Sequence, residues 1–399
     1  AQIGTIPITA NYFSKISVIS LLANIAAVPL SNFSLAVGFL QMLVAAFSGY
    51  LSSLITEVNS LLLYIQLAFI KWCASLDFAY VQVTSFSIID ILCYYLILIV
   101  LLSINDKSRI AFSIIICILI LLAKYVYGID LTKKLRVTFL DVGQGDCSVI
   151  QTPGNSTILV DCGRTSFISN SGERTIEPYL RRIGSDQIDI LIITHLHLDH
   201  IGGINYLLEN FKIGKIIESG QRFPTAFTDT MDSLIENKKV PREVVRSGDY
   251  IDELEDIRFY FLFPDGEFVD VNGNTRGKNL NNGSVAFILK FRDTELFFSG
   301  DIEKESEKFL CDTYSDFLKT DVLKVAHHGS ITSTTIPFII KNKPEYAVIS
   351  CGMYNKFKHP SDIILNRLEK TGAKTFRTDL EGAAVMESDG ERIDFIEWK

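Results

Sequence analysis

Over its first 129 residues the chain runs through long apolar stretches with almost no polar face. Residues 34–54, 86–103 and 110–127 each approach the roughly 20 apolar residues a helix needs to cross the bilayer hydrocarbon. "LLLYIQLAFIKWCASL", from Leu61, is a weaker fourth run. "ISVISLLANIAAVPL", from Ile16, is shorter and carries Pro29, which suits a spanning, re-entrant or interfacial segment. A bundle buried in water would repeat polar residues every 3.6 positions, whereas these runs are apolar all round. From Leu135 the pattern changes to short β-branched runs broken by Gly and Asp turns. "LRVTFLDV", "CSVIQT", "STILVDCG" and "IDILIITH" read as strands, the middle two straddling the turn signal "PGN". "IEKESEKFLCDTY" and "PSDIILNRLEKTG" read as helices, so an α/β sandwich is expected rather than an all-β barrel.

Charge divides the chain at the same place. Only five basic and four acidic residues precede position 130, leaving 33 basic and 42 acidic residues and a formal charge of −9 beyond it. Two solvents are implied, hence a polytopic membrane domain over 1–129 and a soluble domain over 130–399. The opening "AQIGTIPITANYFSK" has no basic n-region or small-residue cleavage site, and reads as the interior of a longer protein rather than a signal peptide. Lys and Arg stand on both sides of the last apolar run, so the charge rule does not orient it. The seven cysteines form no C-x-x-C pair; Cys147 and Cys162 pair only if their compartment is oxidising, and otherwise are core thiols.

The chemistry is concentrated in "THLHLDHIGG", residues 194–203, which holds three of the six histidines. It follows the buried strand "DILIIT", and side chains two apart on extended backbone share a face. His195 and His197 can thus hold one cation, while Asp199 and His200, on the turn into the next helix, face a second. Imidazole and carboxylate are the ligand set of zinc, iron or manganese. The pair Gly202-Gly203 allows close backbone approach.

H-x-H-x-D-H after an apolar strand resembles the metallo-β-lactamase-fold hydrolases, an αββα sandwich. In that resemblance "ILVDCG" supplies Asp161, which hydrogen-bonds a ligand imidazole and fixes its tautomer. "FFSGD" supplies Asp301, which bridges two metals. "LKVAHHGS" places His327 at a strand end as the preferred remaining ligand, with His328 pointing elsewhere. His359, in "KFKHPSD", competes for that role or acts as a general acid. Many members have a further histidine between the first motif and the bridging aspartate, and residues 201–300 contain none. "NLNNGSVAFILK" occupies that stretch, so either Asn282 or Ser284 reaches metal or water, or "NNGS" is an ordinary hairpin turn.

A narrower resemblance spans nearly the whole chain. "FLDVGQGDCSVIQTP", "NNGSVAFIL", "FSGDIEKESEKFL" and "HPSDIILNRLEKTGAKTFRTDLEGAAV", with the histidine motifs, resemble the ComEC family of natural competence. The opening "AQIGTIPITANYFSKISVISLLANIAAVPL" resembles the last portion of that family's membrane domain. The resemblance implies a multi-pass protein of the bacterial inner membrane, acting in uptake of single-stranded transforming DNA with other competence components. Its soluble domain would sit on the outer face and degrade the strand not taken in, by two-metal phosphodiester hydrolysis with zinc or manganese. Asp199 would orient the attacking hydroxide, and His328 or His359 would serve the leaving oxygen. Two other readings stay open: a membrane-tethered metallo-hydrolase of another substrate, and a domain that only guides DNA. The net negative charge lends the second some weight, since DNA-adhesive surfaces are normally basic.

Overall fold

The structure is a computed structural model that describes residues 2–13, 15–76, 78–82, 88–102, 111, 112, 114–116, 118–120, 134–166, 169–254 and 256–396. The chain divides into two compact units, Ala1–Ile129 with Arg181–Gly184, and Asp130–Leu180 with Ser185–Lys399.

In the first unit, helices Ser20–Ala45 and Gly49–Ala74 form an antiparallel hairpin of two 26-residue arms. At 1.5 Å per residue each arm is about 39 Å long, more than the roughly 30 Å hydrocarbon thickness. The apolar run expected over 34–54 is therefore not one helix. It is cut at Ser48, whose extended backbone and side chain cap the second arm by accepting the Leu51 N–H at 3.3 Å. Leu22, Ile25, Met42 and Leu43 are exposed along the first arm, which water would penalise and lipid would not. Between the arms the Ser34 hydroxyl meets Asn59 Oδ1, and Gln66 Nε2 donates to the Ala27 carbonyl. Pro7 in helix Gln2–Phe13 lacks the N–H that would satisfy the Ile3 carbonyl, and Tyr94 from helix Ile88–Leu102 donates its hydroxyl there instead, at 2.7 Å. The run expected over 110–127 lies largely outside the described residues.

The second unit is two facing sheets. One runs, in spatial order, Ile393–Ile396, Ala384–Ser388, Leu135–Phe139, Ser148–Gln151, Thr157–Val160, Gln187–Ile193, Lys212–Glu218 and Arg242–Val244. The other runs Lys374–Arg377, Tyr346–Ile349, Val322–Lys324, Thr294–Phe298, Ala286–Phe291, Ile257–Phe263 and Tyr250–Leu254. Strand alternation sorts the side chains: Phe287, Leu289, Phe291 and Phe298 join Val137, Phe139, Ile158 and Ile192 in the core between the sheets. Phe287 and Phe298 stack there with ring centroids 4.8 Å apart. The intervening Ile288 and Phe297 face outward and pack with Leu310, Phe338, Ile339, Ile364 and Leu368 of the covering helices. Burial on both faces is why these strands read as nearly unbroken apolar runs. Each core phenylalanine contributes about 1.5–3 kcal/mol by leaving water.

The expected local elements form. "PGN" turns Ser148–Gln151 back antiparallel onto Thr157–Val160, and the two expected helices are Lys304–Tyr314 and Asp362–Thr371. Asp362–Thr371 starts on a Ser361 side-chain cap and ends at Gly372, whose φ of 80° a glycine adopts without strain. Cys147 and Cys162 are free buried thiols, so the disulfide alternative is not realised. Thr157–Val160, Gln187–Ile193 and Lys212–Glu218 run parallel. So do Thr294–Phe298, Val322–Lys324 and Tyr346–Ile349 in the facing sheet. Parallel strands end at one edge, and the histidines and aspartates follow those carboxyl ends.

Candidate metal centre

Asp161 lies just past Thr157–Val160, in the left-handed region with φ 60°. Its two oxygens accept the Thr194 N–H and hydroxyl, each at 2.8 Å, tying the ends of neighbouring strands together. Oδ2 also lies 2.8 Å from His200 Nδ1, which turns His200 Nε2 toward Asp301, 3.3 Å from its Oδ2. His195 and His197, just past the end of strand Gln187–Ile193, bring Nε2 and Nδ1 to 3.0 Å from each other. His195 Nε2 is 3.9 Å from Asp301 Oδ2. Two imidazole nitrogens that close must share either a proton or a cation.

The helix Leu198–Ile201 then carries Asp199 and His200. Gly202 and Gly203 let it seat on the preceding loop: a Cβ on Gly202 would lie 2.1 Å from Thr165 N, and one on Gly203 2.4 Å from the Cys162 carbonyl. The glycine pair thus serves backbone packing behind the site.

From the facing sheet come Asp301, His327 and His328. His328, not the preferred His327, enters the cluster. Its Nε2 lies 3.5 Å from Asp199 Oδ2 and 3.7 Å from Asp301 Oδ2, with the ring fully buried. His327 is part exposed, its Nδ1 facing Glu303 at 3.5 Å and its Nε2 4.0 Å from Asp301. The reason is backbone geometry. Both histidines have left-handed φ, 51° and 54°, so strand alternation no longer says which ring faces inward. His359 is half-buried at the edge, its ring centroid 5.7 Å from His327 and 6.4 Å from His328.

Asn282 and Ser284 are engaged elsewhere. Asn282 Oδ1 accepts the Glu303 N–H and the Ser306 hydroxyl, and its Nδ2 donates to Glu305. Ser284 Oγ accepts the Asp301 N–H at 3.2 Å. They pin the loop that carries Asp301 rather than reach into the cluster.

Two residues without an expected role complete the surroundings. Asp146, from "GQGDC", forms a buried 2.9 Å ion pair with Lys324. Its other oxygen lies 3.6 Å from His328 Nδ1, which also faces the Ser350 carbonyl at 2.9 Å. The Ser350 carbonyl holds the His328 Nδ1 proton and frees Nε2 for the cluster. The readable signal was a lysine inside the apolar strand "VLKVA", since a buried lysine requires a partner.

Electrostatics follow from burial. Burial, then the nearby His200, pushes His195 well below the usual imidazole value, leaving it neutral with a lone pair to give. For His200 and His328 burial also acts downward, but the carboxylates of Asp301 and its neighbours outweigh it. His200 is held well above its ordinary value, and His328 is raised to about 10. Burial would raise Asp199 and Asp301, yet the surrounding imidazoles hold both well below the usual carboxylate range. Such a cluster wants positive charge at its centre.

The donor set fits a divalent cation. His200 Nε2, His328 Nε2, Asp301 Oδ1 and Asp146 Oδ1 are buried with no hydrogen-bond partner. Ligand atoms of His195, His200 and Asp301 lie within 4.8 Å of one another, as do those of Asp199, His200 and His328, and those of Asp146, Asp301 and His328. Buried polar atoms left unpaired are costly, and several aimed at one point call for an ion.

Comparison with known proteins agrees with this geometry. The metallo-beta-lactamase superfamily pattern matches residues 140–352, and the competence protein pattern matches residues 1–107. ComE operon protein 3 of Bacillus subtilis is 27% identical over 96% of this chain and 50% of its own length. Competence protein ComA of Neisseria gonorrhoeae is 30% identical over 63% of this chain and 32% of its own. Recombination protein 2 of Haemophilus influenzae is 29% identical over 72% of this chain and 32% of its own. The chain spans half or less of the length of these relatives. With this site on its double sheet the chain belongs to the metallo-β-lactamase superfamily, and its competence region and its relatives make it similar along most of its length to the ComEC-type competence proteins.

Proposed function

We propose that this chain is part of a bacterial inner-membrane protein of DNA uptake, with residues 1–129 as its multi-pass membrane portion. Residues 130–399 then act as a metal-dependent phosphodiesterase on the outer face, cutting the DNA strand that is not taken in. The competence-type relatives support the uptake half of this reading. One observation carries the catalytic half: orphaned imidazole and carboxylate atoms converge at the carboxyl ends of both sheets.

In this reading His195, His197, Asp199, His200, His328 and Asp301 would hold two divalent cations, zinc or manganese. Bound divalent cations supply a hydroxide at neutral pH and offset charge on the phosphodiester. Asp199, part exposed at the cavity wall, orients the attacking oxygen. Asp161 and the Ser350 carbonyl fix which nitrogens of His200 and His328 face inward, with the Asp146 carboxylate close by. His359 is held neutral by burial and the neighbouring His328, its value lowered to about 4, and stands at the edge where a leaving oxygen could take a hydrogen bond.

The test is cleavage of labelled single-stranded DNA by the whole chain in detergent with manganese or zinc. Asp199→Asn should lose at least about 100-fold in rate while the protein stays folded. Undiminished cleavage by that variant would refute the assignment.

A further inference from the structure

Beside Asp199 a cleft of about 970 Å³ opens, and its walls differ in chemistry from the acidic average of the domain. Arg164 and Arg174 line one part, and Tyr354, Lys356 and Phe357 come from a loop far away in sequence. None of the three cations makes an ion pair among the described residues. Tyr354 is 97% exposed, a large apolar surface that folding alone gains nothing by presenting to water, and Phe357 is 54% exposed, its ring set between Lys356 at 4.9 Å and His359 at 5.7 Å.

The loop is nonetheless tightly built. Asn355 accepts the N–H groups of Phe357 and His359 at 3.1 and 3.0 Å, and donates to the Gly352 and His359 carbonyls. Gly352 N donates to Gln144 Oε1 at 3.1 Å, and a Cβ on Gly352 would come within 2.6 Å of Gln144 N. Tyr354 and Lys358 are held at φ 54° and 58°, unfavourable for side chains of that size. Strain and hydrogen bonds are thus spent on holding aromatic rings outward, beside cations, at the mouth of the metal centre.

We propose that this loop and the opposing arginines form a clamp for single-stranded nucleic acid. Tyr354 and Phe357 stack on unpaired bases, while Arg164, Arg174 and Lys356 take the phosphates and lead the strand to Asp199. A duplex hides its base faces, so the clamp selects for single strands. This inference rests on the phosphodiesterase reading for what happens to the strand, but not for its binding. An interfacial membrane anchor is the other use of exposed aromatic and basic residues. The shared cavity with Asp199, and the arginines contributed from a second segment, favour the nucleic acid.

The test measures binding apart from cleavage. The whole chain in detergent, with chelator present, is titrated into labelled oligothymidylate and into a duplex of equal length. Single strand should bind at least about 10-fold more tightly than duplex. Tyr354→Ala with Phe357→Ala should weaken single-strand binding about 10-fold or more, and Tyr354→Phe should restore most of it. Arg164→Glu with Lys356→Glu should flatten the salt dependence. Equal binding by the alanine pair, or equal affinity for duplex, overturns the clamp. So does an alanine pair that binds oligonucleotide normally but no longer binds anionic vesicles. A parent chain that binds but does not cleave with metal overturns only the phosphodiesterase reading.

Discussion

Lys324 and Asp146, 178 positions apart in the chain, meet as a buried ion pair of 2.9 Å at the junction of the two sheets. The pair brings the "GQGDC" loop of one sheet onto a strand end of the other, and Asp146 in turn faces His328. Lys324→Met should cost about 3–5 kcal/mol, because it leaves a carboxylate buried without a partner. Adding Asp146→Leu should recover part of that loss while leaving metal binding impaired. Denaturant titration of both variants, paired with metal analysis, checks the two halves separately.

Asp161 contacts the cluster through His200 and Thr194. Asp161→Asn keeps the shape but no longer favours the tautomer that presents His200 Nε2. Metal affinity should fall about 10- to 100-fold, read by competition with a chromogenic chelator. An unchanged affinity would mean that the 2.8 Å contact is structural alone.

The adjacent histidines should separate cleanly. His328→Ala should lower the bound metal per chain, whereas His327→Ala should retain it. Elemental analysis after gel filtration decides between them, and the reverse result would restore His327 as ligand.

Acidity offers a further test. In chelator-treated protein, His328 has a folded-state value raised from 6.5 to about 10 by its carboxylate neighbours, against the pull of burial. Its contribution to stability is fully present below about 6.5 and is lost as pH rises through about 10; His200 shifts in the same direction. Melting temperature of the stripped protein should therefore fall across that window. Added zinc or manganese should flatten the fall by replacing the imidazolium charge, and a pH-independent melt of stripped protein would count against the charge argument.

Local features were legible from sequence because they depend on local rules. The β-branched apolar run gave the strand Gln187–Ile193, with His195 and His197 just past its end; the apolar runs marked the region of the exposed hairpin; "PSDIILNRLEKTG" gave the helix Asp362–Thr371. Even so, the break at Ser48 was missed, since apolar residues flank it on both sides and composition there does not change.

What only the tertiary structure decided is which distant groups share a pocket and which way they face. His328 rather than His327 turns its ring to the cluster because two consecutive left-handed residues cancel the alternation a strand would impose. Asn282 and Ser284 turned out to hold the Asp301 loop, and Asp146 found Lys324 across the sandwich. Periodicity belongs to a segment and travels with its sequence. Convergence belongs to two sheets packed face to face, and no segment carries it alone.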